Sequence, residues 1–130
     1  MDGLHQSKGI SASAMAAQAN RLRLLSENIA NADTPGYRRK LTTFEQVVES
    51  GRETGRIKMG SVKLDQSELE RIFNPSHPLA NGDGYLEGSN VSLVVEIADA
   101  REAQRSYEAN LRMFDQARKM RSSLLDILRR

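Results

Sequence analysis

Few side chains in this sequence could do catalytic or metal chemistry. The only histidines are His5 and His77, and there is no cysteine, so neither a histidine-rich nor a thiolate metal site can be assembled. Asp83 lies in the run NGDGY, which lacks the repeated oxygen ligands and closing glutamate of a calcium loop and is better explained as a turn. There is no glycine-rich phosphate loop and no Ser-His-Asp set. The sequence therefore predicts neither an enzyme nor a bound cofactor.

Two asparagines are the polar residues with the clearest spacing, and they lie in the run LSENIANADTPGYRRK, residues 25 to 40. Asn28 and Asn31 are three residues apart and share a helix face, although asparagine is a mediocre helix former. Two interpretations stay open from the spacing alone. The amides either cap a helix end locally or hydrogen-bond to a second chain.

The same run contains a signal that ends its helix. Pro35 disfavours the α conformation at Thr34, and Pro35-Gly36 at the centre of Thr34 to Tyr37 fits a type II turn with Gly36 at positive φ. We expect the two asparagines and this turn to form one docking element, in which the turn directs the chain away from the helix.

Apolar periodicity places the asparagines on an N-terminal helix. A heptad pattern runs from Ile10 to Ala32 and makes a narrow apolar seam, and the many alanines raise helix propensity while allowing another helix to approach closely. The two heptad positions are occupied by Met15, Leu22 and Ile29, and by Gln18, Leu25 and Ala32.

A second and longer helix is predicted near the C-terminus. It opens near Asn90 or Ser92, either of which could cap it, and it continues to about Leu128 without glycine or proline. Some 36 residues give a rod of roughly 54 Å. Its apolar stripe consists of Ala100, Ala103, Tyr107, Leu111, Phe114, Ala117, Met120, Leu124 and Leu128.

The middle of the chain differs from both ends. Glycine and proline punctuate a polar, acidic stretch that cannot hold long helices, and the alternation on either side of Gly60-Ser61 predicts a short strand with a bulge or a small hairpin. The expected fold class is mainly α, with long N- and C-terminal helices that pair as a coiled-coil-like bundle and a small irregular β-containing middle. The expected boundaries are 1–40, 41–89 and 90–130.

The two apolar stripes need cover that a single helix in water cannot supply. They can pair with each other, with neighbouring copies, or with both. Because the middle offers no sheet large enough to cover the long helix, we favour partner subunits, and the alternative is an antiparallel hairpin of helices within one chain.

Charge and hydropathy bear on whether the protein binds nucleic acid, spans a membrane or carries a cleaved leader. The net charge is +2, and the basic residues of the C-terminal helix alternate with acidic ones, which favours a solvated face over a nucleic-acid surface. No stretch approaches the roughly 18 apolar residues of a membrane span, and the N-terminus lacks the apolar region of a cleaved leader. We expect neither an integral membrane protein nor a cleaved signal peptide.

Both predicted helices carry motifs that resemble a known family. The run NxANADTPGY, following a heptad with QxxRL and SENIAN, resembles the N-terminal signature of bacterial flagellar rod and hook proteins. The run NVSLVVEIADAREAQRSYEANLRMF is similar to their C-terminal helix. The short middle with NPSHPLANGDGY is most like the proximal rod protein C type, and the alternative within the family is the B type. The matching helix residues are Glu96, Arg105, Tyr107, Ala109, Asn110 and Met113.

The resemblance implies a structural subunit of the periplasmic flagellar rod, exported without a cleaved signal peptide, that polymerises through its terminal helices to link the membrane ring to the hook. Implied partners are other rod proteins, copies of itself, the basal-body adaptor, the membrane ring and the flagellar type III export apparatus, with no nucleic acid. The residues alone leave open a self-associating helical adaptor, or a basic helix that binds nucleic acid or anionic lipid. The expected subunit-interface residues are Met15, Gln18, Leu22, Leu25, Asn28, Ile29, Asn31, Pro35, Gly36, Tyr37, Tyr107, Asn110, Leu111, Phe114, Met120 and Leu124.

Overall fold

Two long helices dominate the computed structural model, which describes residues 2 to 130. Helix α1 spans Asp2–Ala30 and helix α2 spans Leu93–Leu128. The pair is antiparallel, since the end of α1 lies beside the start of α2, and the Lys8 ammonium near the other end is 5.4 Å from the centre of the Phe114 ring. The predicted fold class, mainly α with long terminal helices and a small β-containing middle, is confirmed.

The middle contains six short strands within the described chain, paired as three two-stranded antiparallel sheets. Each sheet is too small to be stable in water by itself, so the sheets depend on the helices and on one another. The pairs are β1 (Lys40–Leu41) with β4 (Lys63–Leu64), β2 (Phe44–Glu49) with β3 (Arg52–Met59), and β5 (Arg71–Phe73) with β6 (Tyr85–Glu87).

Neither structure predicted across Gly60-Ser61, a short strand with a bulge or a small hairpin, is present there. The tight turn lies at Ser50-Gly51, where both residues have positive φ, as a two-residue hairpin turn requires. The segments on either side of Gly60 belong to different sheets, since β3 pairs with β2 and β4 pairs with β1. Between these strands, the Gly60 N–H donates to the Thr43 carbonyl at 2.6 Å. Local alternation indicated strands there, but it carries no information on which partner each strand selects.

The helices meet through small residues. Ala17 of α1 and Ala103 and Ala117 of α2 are buried, together with Leu24 and Leu25, so the two backbones approach closely where side chains are short. The helices therefore pair within one chain, which was the alternative rather than the favoured interpretation. The β2–β3 hairpin lies against α1 as well, and the Ile57 N–H donates to the Ser13 hydroxyl at 3.1 Å.

The last turns of α2 have no cover from the described chain. Every residue from 118 to 130 is exposed. Leu124 and Leu128 lie seven and eleven residues after the buried Ala117, and such spacings keep residues on one helix face. The face of α2 that packs against α1 thus continues, uncovered, to the end of the helix.

The predicted exit turn is present after α1. The Tyr37 N–H donates to the Thr34 carbonyl at 3.2 Å, and Gly36 has a φ of 76°. The Gly36 N–H also donates to the Glu87 and Gly88 carbonyls at 3.1 and 3.0 Å. The turn therefore ends the helix and also holds the chain against β6.

Replacing Gly36 by alanine should cost stability through its backbone alone, because a Cβ at Gly36 would meet no atom within 4 Å. We expect Gly36→Ala to lower the free energy of unfolding by about 1–2 kcal/mol, the cost of an L-residue in the left-handed region. Gly82→Ala is the matched control, since that site is equally open and is not among the glycines of positive φ. Urea unfolding followed by circular dichroism measures both, and equal stabilities would contradict the assignment of the turn.

Candidate subunit-interface site

A buried ion pair fastens the start of α2 to the segment after the exit turn. Glu96 lies in the first turn of α2, where the helix dipole favours an acidic side chain, and it is 0% exposed. The Arg39 Nε donates to its carboxylate at 2.6 Å. Such short charge-assisted bonds are the strong ones, and a buried carboxylate without a partner would be costly.

Asn28 completes this arrangement from the end of α1. Its Nδ2 donates to the Lys40 carbonyl at 3.0 Å and to the Glu96 carboxylate at 3.3 Å. Its Oδ1 accepts from the Lys40 N–H at 2.9 Å and from the Tyr37 hydroxyl at 2.8 Å. We call Asn28, Tyr37, Arg39, Lys40 and Glu96 the junction cluster.

The amide of Asn28 has no bonding capacity left for a second chain. A primary amide offers two donors and two acceptor positions, and all four are used inside the chain. Asn28 is 0% exposed. The folded chain itself supplies the hydrogen-bond partners of Asn28, and its contact with a neighbouring subunit stays a prediction.

Asn31 has a different and local role. Its Nδ2 donates to the Glu27 carbonyl at 2.9 Å, and its Oδ1 accepts from the Thr34 hydroxyl at 3.1 Å. These contacts satisfy groups at the end of α1, as the capping interpretation requires. Within the folded chain the two asparagines therefore make separate sets of contacts, and their action as one docking element stays a prediction.

Charged side chains surround the junction cluster. The Lys40 ammonium donates to the Glu27 carboxylate at 2.9 Å, which lowers the pKa of Glu27 and raises the pKa of Lys40. Burial raises the pKa of Tyr37. The hydrogen bonds from the Ser67 N–H and side chain to Asp65, with the charge of Arg39 nearby, lower the pKa of Asp65.

The other predicted interface residues divide by exposure. Gln18 and Leu25 are buried against the rest of the chain. Met15, Leu22 and Ile29 on α1 and Tyr107, Asn110 and Phe114 on α2 are partly buried. Pro35, Gly36, Leu111, Met120 and Leu124 are exposed. The predicted set thus ranges from buried to fully exposed residues.

Sequence reasoning missed the exposed apolar residues in the first turn of α2, whereas Leu128 in the last turn was already part of the predicted stripe. Val94 in the first turn is 79% exposed and Leu128 in the last is 75% exposed. The apolar residues of the first turn do not follow helical spacing. Leu93, Val94, Val95 and Ile97 form an almost continuous run that only Glu96 interrupts. A lone acidic residue inside that apolar run was the available signal for a buried ion pair. Further exposed apolar residues lie at the other end: Leu125, Ile127 and Leu128.

Other kinds of site find no support in the part of the chain that the structure describes. No three histidine, cysteine, aspartate or glutamate side chains among residues 2 to 130 are arranged to hold a metal ion. Across the same residues, neither helix combines the length and apolar character needed to cross a membrane. The exposed apolar surface of α2 is thus the most distinctive feature outside the junction cluster.

Two family models match the two ends of this fold. The model described as "Flagella basal body rod protein" matches residues 10–38, and the one described as "Flagellar basal body rod FlgEFG protein C-terminal" matches residues 83–127. Between them they take in most of both helices, the exit turn and three residues of the junction cluster, Asn28, Tyr37 and Glu96. The fold and these matches define a flagellar rod protein.

Relatives identify the type. The flagellar basal-body rod protein FlgC of Agrobacterium fabrum is 38% identical over 99% of this chain and 98% of the relative. The FlgC proteins of Salmonella typhimurium and Bacillus subtilis are 35% and 30% identical, over 85% and 93% of this chain and 87% and 95% of their own lengths. The chain belongs to the FlgC family of flagellar basal-body rod proteins. The predicted family and C type are confirmed, and the chain is a structural subunit of the rod rather than an enzyme.

Loss of the Asn28 amide should harm the isolated chain far more than loss of the Asn31 amide. Asn28→Ala leaves the Lys40 backbone groups and the Tyr37 hydroxyl without their partner, and each unsatisfied buried group costs about 1–3 kcal/mol. Asn31→Ala removes one exposed and one local contact and should cost less than about 1 kcal/mol. Chemical unfolding of the two variants gives the comparison. Equal losses would mean that the junction cluster does not hold the helices together.

Acid should remove part of the stability that the segment around the junction cluster provides. Because the folded-state pKa of Asp65 is lowered, its contribution is fully present above the ordinary value of 3.8 and is lost as the pH falls from there to the folded-state value. Asp65→Asn should therefore be less stable than wild type at neutral pH, and the difference should vanish below that range. Unfolding measured across pH tests this, and a difference that is independent of pH would contradict it.

Proposed function

We propose that this chain is a proximal rod subunit that polymerises through its terminal helices into the shaft linking the membrane ring to the hook. The observation that carries the proposal is the uncovered apolar surface of α2 beyond Ala117. Leu124 and Leu128 continue the face that packs against α1. A packing face that continues past its own intramolecular partner is suited to receive a helix from a neighbouring subunit.

The energetics favour an assembled state. Fully burying one large apolar side chain is worth roughly 1.5–3 kcal/mol, and contiguous exposed apolar surface on a soluble chain marks an interaction site. Four side chains in the last three turns of α2 would contribute at once. They are Met120, Leu124, Ile127 and Leu128, all exposed.

Partly buried residues of both helices extend this surface. Met15, Leu22 and Ile29 follow a heptad along α1, while Tyr107, Asn110 and Phe114 lie four, seven and eleven residues after the buried Ala103 and share its face of α2. In the proposed assembly the exposed parts of these side chains contact neighbouring helices. Residues 1–40 and 90–130 form the rod core, and residues 41–89 project from it after the exit turn at Pro35-Gly36.

Family membership supports the proposed partners and location. These are other rod proteins and further copies of the chain, the basal-body adaptor and membrane ring, and the flagellar type III export apparatus. The proposed place is the periplasmic rod, reached without a cleaved signal peptide. The mixed charge of α2, where Arg118 lies 3.5 Å from Asp115, favours protein partners over nucleic acid.

An acidic substitution on the uncovered face should separate folding from assembly. Leu124→Asp places a charge where the proposed interface is apolar, so we expect normal folding of the isolated chain and a loss of assembly and swimming. Ser122→Asp is the matched control, because Ser122 is exposed and lies about 200° around the helix from Leu124, on the opposite side. Complementation of a strain lacking the gene, with isolation of basal bodies, measures both. Normal motility of the Leu124→Asp strain would contradict the proposal.

A further inference from the structure

The side-chain oxygen of Gln18 is a buried acceptor without a hydrogen-bond partner. Gln18 is 8% exposed, and its Oε1 is buried with no donor in reach. A buried acceptor of this kind costs about 1–3 kcal/mol in the isolated chain. Since nearly all such groups are satisfied in native structures, the missing donor of Gln18 calls for an explanation.

The Gln18 side chain lines an open cleft of about 340 Å³ where α1, α2 and the start of β2 meet. The other lining residues are Arg21, Thr42, Phe44 and Glu102. Rotation about the last torsion of a glutamine is broad and roughly two-fold, so the amide can turn its oxygen toward the cleft. The cleft is large enough for a side chain and too small for a folded segment.

The groups around the cleft favour a cationic donor. The Glu102 carboxylate is 69% exposed, and its nearest cation, Arg21, lies 3.9 Å away, which is too far for a hydrogen bond. Arg21 is also 4.0 Å from Asp99, so one guanidinium lies between two carboxylates and hydrogen-bonds to neither. The partly exposed ring of Phe44 adds a face over which a cation can stack.

We propose that this cleft binds an arginine side chain from a second copy of the chain, with the Gln18 oxygen and the Glu102 carboxylate as acceptors. A guanidinium has several donors in a planar fork and stacks on aromatic rings, which matches the three groups. The source of the arginine is the outer side of α2. Arg105 and Arg112 lie seven residues apart on one exposed helix face, and neither has a carboxylate within 4 Å among residues 2 to 130.

This inference rests on the proposed function. In the proposed contact, self-association is heterologous, which means that two different surfaces of the chain meet. The cleft of one copy meets the outer α2 face of the next, so the two surfaces differ. Contacts of this kind generate rings or helical assemblies rather than closed two-fold dimers. The contact is separate from the uncovered face at Leu124, because Arg105 and Arg112 point away from the face that contains Ala103 and Ala117.

The test compares Gln18 variants in folding and in self-association. Gln18→Met removes the unsatisfied oxygen and keeps the length of the side chain, so the monomer should be as stable as wild type or more stable. Self-association, measured by sedimentation, should weaken roughly tenfold or more, as expected for a lost bond to a charged group. Gln18→Glu should destabilise the monomer and strengthen self-association in a salt-sensitive way. Gln104→Met, an exposed change on α2, is the control and should alter neither property.

A second set of variants tests the source of the arginine. Arg105→Gln with Arg112→Gln should weaken self-association of the wild type and abolish the gain of Gln18→Glu. Equal self-association of Gln18→Met and wild type, or a gain of Gln18→Glu that survives loss of both arginines, would overturn the inference while leaving the proposed function in place. Failure of the wild type itself to associate or to enter basal bodies would overturn both.

Discussion

The rest of the structure depends on the need to pair one buried carboxylate. Glu96 is enclosed in the first turn of α2, and its charge is tolerable only beside the Arg39 guanidinium and the Asn28 amide. Arg39 is supplied from beyond the exit turn and Asn28 from the end of α1. Satisfying one carboxylate therefore requires α1, the turn and α2 to meet at one point, which sets the direction in which the middle region leaves the helices.

Because the polar contacts of the junction cluster hold the helices together, apolar side chains of α2 can remain exposed. Between the helices Ala17, Ala103 and Ala117 are buried with Leu24 and Leu25 of α1, while leucines of α2 such as Leu111 and Leu124 stay exposed. A chain that buried these α2 leucines internally would gain stability as a monomer and lose apolar surface for association. In the proposed assembly the exposed apolar faces of α2 contact neighbouring subunits, and the junction cluster allows the monomer to fold without covering them.

Local features of this fold were predictable from the sequence. The second helix begins after Ser92 and ends at Leu128 as its periodicity indicated, because no glycine or proline interrupts it. The turn at Gly36 followed from Pro35 and the need for positive φ. In these cases a few neighbouring residues determine the conformation, so spacing and residue type are sufficient.

Contacts between distant segments were not predictable from spacing. Asn28 and Glu96 are 68 residues apart, and heptad position alone could not distinguish an amide that serves its own chain from one that serves a neighbour. The strand pairs could not be predicted for the same reason, since alternation around Gly60 indicated strands without indicating their partners. Gln18 was expected at an interface from its seam position, but its unsatisfied oxygen is visible only once the helices are packed together.

The most direct test of the account is a density map of the native rod at a resolution that shows side chains. The account predicts that each FlgC-type subunit keeps the Glu96–Arg39 ion pair and the Asn28–Lys40 bonds within its own chain. It also predicts that Leu124 and Leu128 are covered by helices of neighbouring subunits. A rod in which these polar contacts are made between chains, or in which the last turns of α2 remain exposed, would contradict it.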